Sequence, residues 1–329
     1  MSCSPRMVKV LLVTEKPFAT SAISGIESEL NRPTTMNKYT LEKFEKYTSN
    51  TELLTELEKV KPDAVIIRSD LANKEFFSAA GTDLKIVVRA GAGVDNIDLN
   101  AATEAGIVAM NTPGQNSNAV AELVFGMMVF HVRGKFSGDS GSELRGKTIA
   151  VYGCGNVGRF VVKIAKGFGM HVIALDPYMS DDQIRETGAE PVHEVSELFG
   201  ANFVTLHIPA TPETKESINR GLLDLMPKGG VVINTARFEV MHEADLAAWL
   251  KDRSDCGYLA DVTPLNLDTL KAQLGTERFA KQVFVTPKKL GAQTVEANNN
   301  AGPAAARQIV DFFEKGDVRF QVNKPGKTF

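Results

Sequence analysis

Residues 283–298 read VFVTPKKLGAQTVEAN, and two lysines, Lys288 and Lys289, directly follow the Thr-Pro that closes an apolar run. If that run is a strand feeding an active site, Lys288 stands where a proton acceptor is wanted, a place that histidine usually fills near neutral pH. A second stretch carries different chemistry. The run TIAVY leads into Gly153-Cys154-Gly155-Asn156-Val157-Gly158 and then into the helical pattern RFVVKIAKGFG. In this strand-to-helix context the first glycine permits a tight turn, the second lets a pyrophosphate approach the backbone, and the third lets helix and strand pack closely. The N–H groups and positive dipole end of the helix then face the phosphates. Asp176 ends the next apolar run 18 residues past Gly158, close to the ~20 at which a carboxylate accepts from adenosine ribose hydroxyls. A carboxylate there repels a 2′-phosphate, and Tyr178 and Met179 bring no guanidinium to offset it, so NAD is expected rather than NADP.

A dinucleotide enzyme that oxidises an alcohol needs a base for the hydroxyl proton and a cation for an anionic substrate group. Arg237, ending VVINTAR, offers a guanidinium that can hold a carboxylate through two parallel hydrogen bonds; surface pairing with Glu239 or Glu243 is the competing reading. Asp261, ending GYLAD, suits either a nicotinamide carboxamide or a loop cap. Lys288 could equally be a solvated loop lysine, and Lys289 takes over its claim if the loop turns differently. His207 is a rival base at a strand end, whereas His131, His171, His193 and His242 fall in helical, strand-entry or linker contexts.

Each leading candidate follows a short β-branched run. VKVLLVT, DAVIIRSD, KIVVRAG and IVAMNTP, then TIAVYG, VIALD, FVTLHIP, VVINTAR, GYLADV and VFVTP, alternate with amphipathic segments. This pattern predicts an α/β chain of two Rossmann-like or flavodoxin-like parallel-sheet domains with a cleft between them, binding ligands past the carboxyl ends of the strands. Segments 118–132 and 294–315 read as helices crossing between the domains, the second capped by Thr294 and stopped before Gly316. GKFSGDSGSELRGK is a Gly/Ser-rich linker, and the tail DVRFQVNKPGKTF returns to the first domain. The expected boundaries are 1–115 with 302–329 for a substrate domain and 116–301 for a nucleotide domain, and 329 residues suffice for two cores.

Apolar residues make up 43%, charged residues 23%, and the net charge is −3. That balance suits a soluble globular protein and argues against nucleic-acid or acidic-membrane partners. Cys3, Cys154 and Cys256 are too few and scattered for a disulfide framework or a zinc site, so no metal and a cytoplasmic location are expected. The N-terminal VLLV is a strand rather than a signal peptide, and no run approaches the ~20 apolar residues of a membrane span.

GCGNVG with Asp176, HIPATPETK from His207, NTAR ending at Arg237, LADV at Asp261 and RAGAGVDNID from Arg89 together resemble the D-2-hydroxyacid dehydrogenase family over about the whole chain. Within that family, Arg68-Ser69 and Asn116 in GQNS resemble the branch acting on D-3-phosphoglycerate, in a short form without C-terminal regulatory domains. The resemblance implies cofactor contacts at Gly153, Gly155, Asn156, Val157, Gly158, Asp176, His207, Pro209, Thr214, Ala236 and Asp261. It further implies catalysis by Arg237, and substrate contacts at Arg68, Ser69, Arg89, Asn116 and the turn Ala90-Gly91-Ala92.

Two positions depart from the family. Where it writes a catalytic glutamate, ADVTPLN has Asn266, and where it writes Thr-Pro-His, the chain has Lys288. The changes fit each other, because a glutamate would stabilise an ammonium, whereas Lys289, Arg237 and desolvation by closing domains favour the neutral amine. TPKK-x-GAQT also resembles a subgroup of that branch carrying this lysine. The expected function is NAD-dependent oxidation of D-3-phosphoglycerate to 3-phosphohydroxypyruvate, the entry step of serine synthesis in the resembling enzymes, by a homodimer. The rivals are a glyoxylate or hydroxypyruvate reductase on the same scaffold, which would not need Arg68, and a non-catalytic NAD-sensing binding protein.

Overall fold

The computed structural model describes residues 5–324, so Cys3 and the extreme ends of the expected first domain lie outside the described residues. The chain divides into two units, Met1–Asn116 with Thr294–Phe329, and Ser117–Gln293. The return to the first unit falls at 293/294 rather than 301/302. The reason is local: the helix that opens there, Val295–Lys315, runs unbroken through Pro303.

The first unit begins with β1 (Met7–Thr14), α1 (Thr20–Leu30), β2 (Lys38–Glu45), α2 (Asn50–Val60) and β3 (Ala64–Ile67). It continues through α3 (Lys74–Ala80), β4 (Ile86–Arg89), α4 (Leu99–Glu104) and β5 (Val108–Asn111). All strands are parallel in the order β2-β1-β3-β4-β5. The order reverses between β1 and β3, so the loops after those two strands flank the crevice where doubly wound sheets bind ligands. β2 was not among the strands expected from sequence. Its segment KYTLEKFE lacks a β-branched run and buries only Tyr39, a composition that an edge strand bonded on one side tolerates.

The second unit holds α5 (Ser117–Val132), β6 (Thr148–Tyr152), α6 (Asn156–Gly167), β7 (His171–Leu175), α7 (Asp181–Thr187), β8 (Glu190–Pro191) and α8 (Val195–Leu198). It continues with β9 (Phe203–Leu206), α9 (Arg220–Leu223), β10 (Val231–Asn234), α10 (Glu243–Asp252), β11 (Gly257–Ala260), α11 (Leu267–Leu274), α12 (Thr276–Gln282) and β12 (Val283–Val285). The sheet is again all parallel, ordered β12-β11-β10-β9-β6-β7-β8, with its reversal between β6 and β9. β8, two residues long, was too short to be read from sequence.

The last helix, α13 (Val295–Lys315), belongs to the first unit. Thr294 caps it, its side chain accepting from the Ala297 N–H at 3.1 Å, and Gly316 ends it with φ 64°. Small residues let α13 lie close on α1: Ala301, Ala305, Ala306 and Ile309 share one buried core with Ala22 and Ile26. Val322 N–H then donates to the Ala109 carbonyl at 2.9 Å, tying the tail to β5. Among the described residues no helix is long and apolar enough to cross a membrane.

Candidate active site

In the second unit the three motif glycines have separate duties. Gly153 has φ 90°, and a Cβ there would stand 2.6 Å from the His207 carbonyl oxygen, so turn and packing both demand glycine. A Cβ on Gly158 would run into the Gly153 carbonyl oxygen, because α6 lies directly on the end of β6. Gly158→Ala is therefore expected to lower stability by about 1–3 kcal/mol through overpacking, a loss that thermal denaturation would register. Gly155 differs, since a Cβ there would meet only open space. Gly155 and Asn156 are exposed and Val157 half-buried at the start of α6, leaving that N-terminus open to an anion.

The loops after β7 and β9 close on this turn. Asp176 accepts from the Cys154 N–H at 2.8 Å and the Tyr178 N–H at 2.9 Å, which fixes its carboxylate beside the glycine loop with acceptor capacity left over. His207 N–H donates to the Tyr152 carbonyl at 2.7 Å, and its ring nitrogen Nε2 pairs with Thr205 Oγ1 at 3.0 Å. Burial pushes the His207 pKa down to about 3, so the ring is neutral at any working pH and poorly matched to a general-base role. The 207–215 segment closes on itself: Thr214 Oγ1 donates to the Pro209 carbonyl at 2.6 Å and accepts from the Thr211 N–H at 2.8 Å.

After β10, buried Asn234 brackets the next turn, accepting from the Ala236 N–H at 3.0 Å and donating to the Arg237 carbonyl at 2.9 Å. Arg237 is thereby held extended and half-buried. After β11, Asp261 is 1% exposed; its Oδ2 accepts from the Gly291 N–H at 2.7 Å, while its Oδ1 has no hydrogen-bond partner among the described residues. Burial raises the Asp261 pKa; the Gly291 N–H, the charge of Lys289, the Leu290 N–H and the charge of Arg237 act the other way. A buried acceptor without a donor is costly unless a ligand supplies one.

After β12, the Thr286 N–H donates to the Ala260 carbonyl at 3.0 Å and Thr286 Oγ1 donates to the Lys288 carbonyl at 2.7 Å. The lysine loop is thus set beside the Asp261 loop. Lys288 and Lys289 are both exposed, so the desolvation expected for Lys288 is not seen in the structure.

In the first unit, Arg68 and Ser69 follow β3, and Arg89 with Ala90-Gly91-Ala92 follows β4. Arg89 Nε donates to the Arg68 carbonyl at 3.0 Å, and the Asn111 side chain donates to the Ala92 carbonyl at 2.6 Å. Asn116, half-buried, lies past β5 near the end of this part of the unit.

Residues 120–287 match the family described as D-isomer specific 2-hydroxyacid dehydrogenase, NAD binding domain. The chain belongs to this family. Among the relatives of this D-2-hydroxyacid dehydrogenase chain, D-3-phosphoglycerate dehydrogenase of Methanocaldococcus jannaschii is 36% identical over 77% of the chain and 50% of that protein. The enzyme of the same name from Archaeoglobus fulgidus is 34% identical over 84% of the chain and 54% of that protein. The chain thus spans about half the length of these relatives. Among solved structures, NAD+-bound 3-phosphoglycerate dehydrogenase of Entamoeba histolytica superposes with a TM-score of 0.81 at 41% identity, over 97% of this chain and 99% of that one.

At the position where the resemblance leads one to expect a glutamate, Asn266 is exposed, and its side-chain amide donates to Glu243 at 2.7 Å. Glu243 also accepts from the backbone N–H groups of Leu265 at 2.6 Å and Asn266 at 3.1 Å. Its carboxylate therefore secures the loop that starts α11. Glu243 went unnoticed as a loop anchor in the sequence, where it was weighed only as a surface partner for Arg237. Asp70 was missed as well, although it sits two residues after Arg68: its carboxylate accepts from the Arg68 N–H at 2.9 Å, the Glu15 N–H at 3.1 Å and the Tyr47 hydroxyl at 2.6 Å.

Proposed function

We propose that the chain is an NAD-dependent D-3-phosphoglycerate dehydrogenase, oxidising D-3-phosphoglycerate to 3-phosphohydroxypyruvate. The observation that carries the substrate assignment is Arg68, a half-buried guanidinium at the reversal point of the first sheet. Among the described residues no carboxylate forms an ion pair with it, although Asp70 acts on it through space, and N–H donors remain for an anion such as a phosphate. The names of the two archaeal relatives and the Entamoeba structure point the same way. A glyoxylate or hydroxypyruvate reductase would have no use for this guanidinium, and a pure NAD sensor none for Lys288.

The residues fit NAD. The open side of Gly155 suits the pyrophosphate, Asp176 the ribose hydroxyls, and the unpartnered Oδ1 of Asp261 the carboxamide N–H. When bound, NAD supplies the hydride acceptor for C2 of the substrate. Arg237 would hold the carboxylate, while the neutral amine of Lys288 takes the hydroxyl proton. In the reverse direction the Lys288 ammonium donates to the carbonyl oxygen. Arg68 and Arg89 would bind the phosphate, with Ser69, Asn116 and the Ala90-Gly91-Ala92 turn completing the substrate contacts. On this reading the Met1–Asn116 and Thr294–Phe329 unit serves the substrate and the Ser117–Gln293 unit the nucleotide.

We further propose a cytoplasmic homodimer without nucleic-acid or membrane partners. Exposed Phe160 and Phe168, beside Phe125 on the α5–α6 surface, support self-association, and sedimentation velocity tests it.

An NAD(H)-coupled assay comparing phosphohydroxypyruvate, hydroxypyruvate and glyoxylate tests the substrate; a preference for either unphosphorylated acid would refute the assignment. Asp176→Ala should weaken NAD binding and narrow the discrimination against NADP, since it removes both the ribose acceptor and the repulsion of a 2′-phosphate. Titration of both cofactors measures this, and a wild type preferring NADP would remove its basis.

A further inference from the structure

We infer that Asn298 and Phe18 are positioning residues that aim Arg68 at the substrate phosphate, and so help set the preference for a phosphorylated 2-hydroxy acid. The inference rests on the phosphate role given to Arg68 above. Arg68 Nη2 donates to Asn298 Oδ1 at 2.8 Å, and Nη1 donates to the Lys16 carbonyl at 3.3 Å. Its Cζ stands 4.9 Å from the centre of the Phe18 ring, close enough for cation–π attraction.

Both partners are themselves fixed. The Asn298 amide donates to the Thr294 carbonyl at 2.9 Å in the first turn of α13, which leaves Oδ1 facing the guanidinium, a group that can only donate. Phe18 is buried in the α1–α13 core, its ring against Gly302, where a Cβ would come within 3.2 Å of Cε1. The backbone of Arg68 is pinned too, by Asp70 at its N–H and by Arg89 Nε and Asn96 Nδ2 at its carbonyl.

Among the described residues every hydrogen-bonding or stacking partner of the guanidinium is neutral: an amide oxygen, a backbone carbonyl and a ring face. The Asp70 carboxylate acts on it only through space, so its orientation is fixed without an ion pair. Of the five guanidinium N–H donors the two side-chain bonds use two, leaving three for a ligand. Phe18 and Lys16 come from the loop after β1, which together with the loop after β3 brackets the reversal point of the sheet. The three remaining donors thus belong to a guanidinium at the edge where such sheets take ligands.

Steady-state kinetics with phosphohydroxypyruvate and hydroxypyruvate test this on wild type, Asn298→Ala, Asn298→Asp and Phe18→Leu, with a melting curve for each. Selectivity, the ratio of kcat/KM for the two substrates, should fall roughly 3- to 10-fold in Asn298→Ala, the worth of one hydrogen bond, and chiefly through KM. Asn298→Asp should lose more selectivity than Asn298→Ala, because a carboxylate would compete with the phosphate for the guanidinium. Phe18→Leu, apolar but without an aromatic face, should also lose selectivity. If Asn298 were merely structural, both substrates would suffer alike in Asn298→Ala and Asn298→Asp, and that result overturns the inference. A wild type indifferent to the phosphate would overturn the functional reading and this inference with it, whereas a selective wild type with unselective losses in the variants overturns the inference alone.

Discussion

Lys288→Met is expected to retain fold and NADH binding while cutting kcat by about 10²- to 10⁴-fold, the usual share of a positioned acid or base. The direction of the pH effect is the sharper measurement. Oxidation needs the neutral amine, so its rate should climb with pH, whereas reduction needs the ammonium and should fade as pH rises. That opposed pair of profiles should vanish in Lys288→Met. In Lys288→His the ionisation should move toward ~6.5, the ordinary value for imidazole, with partial activity. Adding Asn266→Glu should hurt the lysine enzyme, since a carboxylate stabilises the cation it faces. Asn266 already binds Glu243, so a glutamate there would also meet a like charge and pull the loop from its anchor. An unchanged profile in Lys288→Met would pass the role to Lys289, because His207, with its pKa pushed down to about 3, does not titrate across the assay range.

Arg68→Ala should raise KM for phosphohydroxypyruvate by roughly 10²-fold, corresponding to loss of a charge-assisted contact worth ~1.5–3 kcal/mol. Hydroxypyruvate should suffer far less. The variant also removes the bond to Asn298 and the stack on Phe18, so a melting curve is needed alongside the kinetics. Equal losses on both substrates would make Arg68 a packing residue and favour the reductase.

What the sequence discloses here is short-range. The glycine turn at 153–158, Asp176 and the strand-end positions of Arg237, Asp261 and Lys288 follow from runs and spacings within a few tens of residues, and each of these residues does follow its strand. β2 escaped because its charges mask the strand, and β8 because two residues carry no period. The partners of the reactive groups were hidden for another reason. Asn298 lies 230 residues from Arg68, a distance at which no local pattern operates, and Glu243 lies 23 residues from Asn266 across a helix and a strand, with no motif to link the two. The motif already assigns the three glycines different duties, and the surroundings agree: packing demands Gly153 and Gly158, whereas Gly155 has open space beside it.

The shared core of α1 and α13 also bears on how the chain is made. Ala22 and Ile26 emerge from the ribosome early, yet the Ala301, Ala305 and Ile309 side chains that cover them are synthesised only after the whole Ser117–Gln293 unit. The first unit must therefore wait, its apolar helix face uncovered, while the second, continuous in sequence, can complete its own core during translation. Such long-range closure is slow and exposes nascent chains to aggregation. The order of assembly thus runs against the order of synthesis: the part made first is the part finished last.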